Sequence, residues 1–176
     1  QTLGVDMVHF LNFNQPVLGI GVPRVTTIHD LTVKHYPVGR SQTDPLRRLA
    51  FNLVMRRAAH SDRVIAISRA TKIDVVRNLG ADPSLVQIIS EAADERFKPQ
   101  PQQSINIFKQ RTGLLKPYIL FVNQWRPHKG LPELIAAFDS LKASNLREHQ
   151  LVITGDPSPH FPEIPAAIEA SKYRND

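Results

Sequence analysis

The chain has 176 residues, 41% hydrophobic and 22% charged, an ordinary balance for a globular protein and enough for one domain or two partial ones. It has no cysteine, which excludes a disulfide framework and thiolate chemistry and fits a reducing compartment. The net charge of +6 is concentrated in residues 40–80, where nine Lys and Arg stand against three Asp, and no apolar run approaches the roughly 18–20 residues of a membrane span.

In chain order, Gln1 opens without a basic stretch or an apolar run, so no secretory leader is expected; the missing initiator methionine reads as a piece of a longer chain. Met7–Leu11 reads as a short buried strand, followed by a loop at 12–23 rich in Asn, Gly and Pro. Val25–Ile28 is β-branched and reads as a strand ending at His29-Asp30. Pro37, Gly39, Ser41 and Pro45 punctuate a connection. A helix then starts at Asp44-Pro45, with Leu46, Leu49, Ala50, Leu53, Val54 and Ala58 on its expected apolar side and Arg48, Asn52 and Arg56 as a polar stripe. Val64–Ile67 is the next strand. Ser68 is placed to N-cap a helix that buries Ile73, Val76 and Leu79 and stops at Gly80 and Pro83. Val86–Ile89 is another strand, 97–103 a proline-bearing linker, and Ile105–Thr112 a helix. At the far end come a strand at Leu151–Thr154 and a helix at Ile164–Tyr173.

The most informative stretch is Tyr118–Leu141. Tyr118–Val122 is an apolar run that fits a strand buried on both faces, and Leu131, Leu134, Ile135, Phe138 and Leu141 recur at helical spacing. Pro132 and Glu133 suit a first helical turn. Between strand and helix lie Arg126, His128, Lys129 and Gly130. Free N–H groups and the helix dipole make such a junction an anion site, so two cations there suit a phosphate or diphosphate; a solvated loop with ordinary surface charges fits the same residues. No GxxxxGK[ST] or GxGxxG occurs in a strand–helix context, which sets aside the usual glycine-rich nucleotide loops. Strands alternating with helices predict an α/β fold with parallel sheets, right-handed βαβ connections and ligands at the carboxyl ends of the strands.

Four segments occur in order: Val25–Leu31 (VTTIHDL), Ser61–Thr71 (SDRVIAISRAT), Arg96–Pro99 (RFKP) and Tyr118–Phe138 (YILFVN…PHKGLPELIAAF). Together they resemble the group 1, family 4 retaining glycosyltransferases, closest to a mannosyltransferase-like branch. The resemblance implies two Rossmann-like domains with a cleft between them, the GT-B arrangement. Residues 1–100 then correspond to the later half of the acceptor-side domain, and 101–176 to the first part of the nucleotide-sugar-binding domain. The implied reaction moves a hexosyl group from a nucleotide diphosphate sugar to a glycan or lipid-linked acceptor with retained configuration and no bound metal; no Asp-x-Asp motif occurs.

On the same resemblance His29 is the catalytic histidine near the transferred sugar, and Lys129, with Arg126 and Gly130, holds the donor diphosphate. Asp30, Asn123 and Gln124 are weaker substrate-binding candidates, Asp30 fitting a turn or cap equally well. Gln124 stands where the family often has an Arg, with Arg126 the nearest cation; His128 stands where an Arg usually precedes the lysine. Asn123 replaces a Gly, and Ser90–Asp94 keeps only the Asp of an Asn-Gly-Val-Asp segment. The family's Glu-x7-Glu pair is not within the 176 residues. The chain thus reads as the middle of a polysaccharide-building glycosyltransferase, poorly soluble and inactive by itself, with a non-catalytic phosphate- or nucleotide-binding α/β module as the alternative. The expected setting is cytoplasmic, with the basic segment suited to an anionic membrane surface; a nucleic-acid partner is not expected, because no aromatic residues interleave the basic ones.

Overall fold

The structure, a computed structural model, describes residues 4–14, 21–35, 44–144 and 148–176. The connection predicted around Pro37, Gly39 and Ser41 lies outside these, as do Gly19 and Ile20. The chain divides into two compact units, Gln1–Glu95 and Arg96–Asp176.

The first unit runs β1 (Val8–Phe10), β2 (Arg24–Ile28), α1 (Thr32–His35), α2 (Pro45–Ala59), β3 (Arg63–Ala66), α3 (Arg69–Leu79) and β4 (Val86–Ile88). The four strands form a parallel sheet in the order β1-β2-β3-β4, with Phe10 opposite Thr26, Thr26 opposite Val64, and Val64 opposite Val86. Its core is Ile28, Leu31, Met55, Val64, Ala66, Val75, Leu79 and Val86. The caps fall where the sequence places them. Asp44 accepts the Arg47 N–H at 3.0 Å, Ser68 accepts the Thr71 N–H at 3.1 Å, and Gly80 closes α3 at φ +73°. The buried hydroxyls of Thr26 and Ser61 satisfy each other at 2.7 Å, tying β2 to the entry of β3.

Three sequence expectations for this unit are corrected. In α2, Leu46, Leu49 and Leu53 are not buried but 78%, 67% and 58% exposed; the helix instead buries Met55 and Ala59, with Phe51 packed edge-on to Phe13. At about 100° per residue Leu46 and Met55 lie on opposite sides. The helix is apolar on both sides, and its spacing alone does not decide which side meets the sheet. In α3 the buried positions are Thr71, Val75 and Leu79, four apart, while Ile73 is exposed. Met7, Leu11, Ile88 and Ile89 are also exposed, because among the described residues β1 and β4 are the edges of the sheet.

The second unit runs α4 (Gln102–Thr112), β5 (Tyr118–Val122), a 3-10 turn (Pro127–Lys129), α5 (Leu131–Ser144), β6 (Gln150–Thr154) and α6 (Glu163–Ala170). Strands β5 and β6 pair in parallel, Tyr118 opposite Gln150 through Val122 opposite Thr154. One face, with Phe121, Leu151 and Ile153, packs on Leu131, Ile135 and Ile164 of the two helices. The other face leaves Tyr118, Leu120 and Val122 exposed. The expectation that β5 is buried on both faces is therefore corrected: among the described residues of this unit, helices pack on one face only. The buried Lys142 of α5 is neutralised where it sits. Its Nζ donates to the His149 carbonyl at 3.1 Å and pairs with Asp176 at 2.9 Å, near the rings of Phe138 and Tyr173.

Candidate functional site

Both units place their chemistry at the carboxyl ends of parallel strands, where helix N-termini and loop backbone converge. In the first unit, His29 directly follows β2, and its carbonyl accepts a hydrogen bond from Thr71 Oγ1 at 3.0 Å, which fixes the backbone against the start of α3. The imidazole has two partners: Nδ1 lies 2.8 Å from Glu91 Oε1 and Nε2 lies 2.9 Å from the Leu11 carbonyl oxygen. Leu11 follows β1 and Glu91 follows β4, so this contact crosses the top of the sheet. Asp30 accepts the Thr32 N–H at 2.9 Å and so turns the chain into α1. Its carboxylate does the work of a cap, one of the two uses its position suggested.

In the second unit, Asn123, Gln124, Arg126, Lys129 and Gly130 share the connection from β5 to α5. Asn123 Oδ1 accepts the Gln124 N–H at 3.0 Å, and the Arg126 N–H bonds the Gln124 carbonyl at 2.9 Å, folding the loop on itself. Residues 127–129 then form a 3-10 turn, and Gly130, at φ +71°, redirects the chain into α5. The sequence alone predicts a polar loop over 123–130, and the structure adds this turn to it. The first intrahelical bond of α5 runs from the Leu134 N–H to the Gly130 carbonyl, so the N–H groups of Leu131 and Glu133 lie ahead of it, at the positive end of the dipole. Arg126 and Lys129 are exposed just before this end. Two cations with accessible donors beside a helix start can take an anion of phosphate character.

Three residues gain their part only from the structure. Glu91 reads from the sequence as a strand-end residue and no more, because its link to His29, like that of the Leu11 carbonyl, is made only by sheet order. Gly155, after β6, is the third. A Cβ there would lie 2.6 Å from the Asn123 carbonyl oxygen and 3.3 Å from the Trp125 ring, and Trp125 Nε1 donates to the neighbouring Thr154 carbonyl at 3.0 Å. This close approach locks the loop after β6 to the cation-bearing loop; a glycine ending a predicted strand was its one sequence signal. Among the described residues no group of three or more His, Asp or Glu converges as a metal-ligand set.

Parallel α/β units with polar loops at their carboxyl edges are the architecture of GT-B glycosyltransferases, and the chain shares their fold. Residues 1–97 match Glycosyltransferase Family 4, and the chain belongs to that family. Among solved structures, that of Anabaena HepE in complex with UDP and glucose superposes with a TM-score of 0.65 at 18% identity, over 87% of this chain and 40% of that one. HepE with UDP-glucose gives the same values, and HepE with UDP gives 0.64 at 17% identity. The chain thus spans about two fifths of the length of these structures, and at this identity the likeness bears on the fold. No curated protein sequence matches.

Proposed function

We propose that this chain forms part of a retaining hexosyltransferase that moves a sugar from a nucleotide diphosphate sugar to a glycan or lipid-linked acceptor, in polysaccharide biosynthesis. On this reading residues 1–100 serve the acceptor side and 101–176 the donor side. The observation that carries it is the β5–α5 junction, where Lys129 and Arg126 stand exposed at the start of a 14-residue helix. Breaking the glycosidic bond builds negative charge on the departing diphosphate. Lys129, Arg126 and the first N–H groups of α5 stabilise that charge as it forms, which is the role a metal plays in other enzymes. No metal or other cofactor is assigned to this reaction; the nucleotide sugar is a co-substrate. Asn123 and Gln124 line the same loop, and His29 addresses the sugar.

A specific feature supports peripheral contact with an anionic membrane, which on this reading is the inner, cytoplasmic face. Helix α2 exposes Leu46, Leu49 and Leu53 beside Arg47, Arg56 and Arg57 and contains no acidic residue. Among the described residues no helix is long and apolar enough to cross a membrane.

The test is Lys129→Ala in the intact protein, assayed with a nucleoside diphosphate hexose. Loss of a charge contact made in the transition state predicts a kcat/KM lower by about 2–4 kcal/mol. An unchanged kcat/KM removes Lys129 from the site. Donor binding without transfer by the wild type points instead to a binding module.

A further inference from the structure

His29 is bonded through both ring nitrogens to oxygen acceptors, and the proton count has consequences. The Leu11 carbonyl can only accept, so Nε2 carries a proton. The 2.8 Å contact of Nδ1 with Glu91 Oε1 requires one further proton between them, which the carboxylate attracts and holds on that line. The Leu11 partner is a backbone oxygen on the exit of an edge strand, while the Glu91 partner is an anionic side chain. Of the two, the carbonyl is the one a substrate oxygen can replace. The ring is 41% exposed and the Glu91 side chain 60%, so Nε2 can be reached without unpacking the core.

We propose that Glu91 is a positioning residue for His29. Its carboxylate keeps the proton at Nδ1 and sets the plane of the ring, leaving Nε2 as the working nitrogen. Nε2 donates to the Leu11 carbonyl, and a sugar oxygen of the substrate takes the place of that acceptor. Glu91 touches neither substrate nor reacting atoms and acts through His29. Its place three residues past β4 is supplied by the sheet order, which brings the β4 exit over the top of β3 to β2. The inference rests on the reading of His29 as a site residue.

The experiment uses the intact protein with ring-15N histidine, the His29 signals being identified by their loss in His29→Gln. In the wild type the Nδ1 signal is expected at a protonated position. In Glu91→Gln and Glu91→Ala it is expected to move to the unprotonated position, because the one proton of a neutral ring stays on Nε2 facing Leu11. Transfer should fall roughly 100-fold, mainly in kcat, as for a misplaced catalytic group, with circular dichroism unchanged. If His29→Gln cripples transfer while either Glu91 variant keeps the wild-type ring signal or the wild-type kcat, the positioning role is overturned and the site reading stands. If His29→Gln transfers sugar normally, the site reading fails and takes this inference with it.

Discussion

Gly155→Ala probes the lock between the two loops of the second unit. Gly155 sits at φ +94°, where an L-residue is strained by about 1–2 kcal/mol. The new methyl would also meet the Asn123 carbonyl oxygen at 2.6 Å. That oxygen is backbone and cannot swing aside, so relief requires moving the loop, an overpacking cost of about 1–3 kcal/mol. The expected total is about 2–5 kcal/mol. Gly113→Ala is the matched control. It has φ +72° but nothing within 4 Å of the added carbon, so it carries only the strain of about 1–2 kcal/mol. Trp125 is the chain's one tryptophan and lies at the contact, so its fluorescence during urea unfolding reports on this unit. With a slope of about 1–3 kcal/mol/M, Gly155→Ala should lower the midpoint by about 0.7–5 M, and at any one slope by more than Gly113→Ala. Equal shifts for the two variants would refute the close approach as the reason for glycine.

Replacing Leu46, Leu49 and Leu53 together by Ser should leave the melting temperature unchanged and abolish binding to anionic vesicles, since each leucine contributes up to about 1.5–3 kcal/mol when it leaves water; vesicle flotation that survives the triple change rules out α2 as the contact. Each arginine of α2 near the lipid adds about 1 kcal/mol, so binding should weaken with salt, and salt-independent binding counts against the electrostatic part. A hydrogen bond from Lys142 holds the Asp176 carboxyl below the ordinary aspartate value, so its stabilisation is present above about pH 4 and is lost as pH falls through the lower folded value. Acid unfolding of Asp176→Asn should lack that part of the pH dependence, and an identical profile would show that the pair does not contribute. The bare apolar face of β5 should make the isolated 176-residue chain self-associate, and Leu120→Lys with Val122→Lys should shift it toward monomer in sedimentation; no change would exclude that face.

The features that local chemistry determines were readable from the sequence. Asp44 and Ser68 cap the helices they precede, Gly80 ends α3, and the strand–cation–helix order around Lys129 follows from Tyr118–Leu141. Which side of an element meets the core was not readable. Helix α2 has two apolar sides, and only the sheet beneath selects Met55 and Ala59 over the leucines. Strand β5 is apolar at every position, which fits burial on both faces, yet in this unit one face is bare. The partners of His29 depend on β1 and β4 lying at opposite edges of one sheet, a fact about pairing that residue spacing does not contain.

The strand order β1-β2-β3-β4 is also the order of synthesis. Val8 pairs with Arg24, Val25 with Arg63, and Val64 with Val86, so every strand leaving the ribosome meets the edge laid down just before it. None has to wait for a partner not yet made or insert between two already joined. Doubling a loop adds only about 0.6 kcal/mol to its closure, so the successive pairings face similar entropic barriers. Among the described strands, pairing can therefore proceed in one direction as the chain emerges. The bridge from Leu11 through His29 to Glu91 cannot close until β4 has joined the sheet, so this contact depends on all four pairings at once.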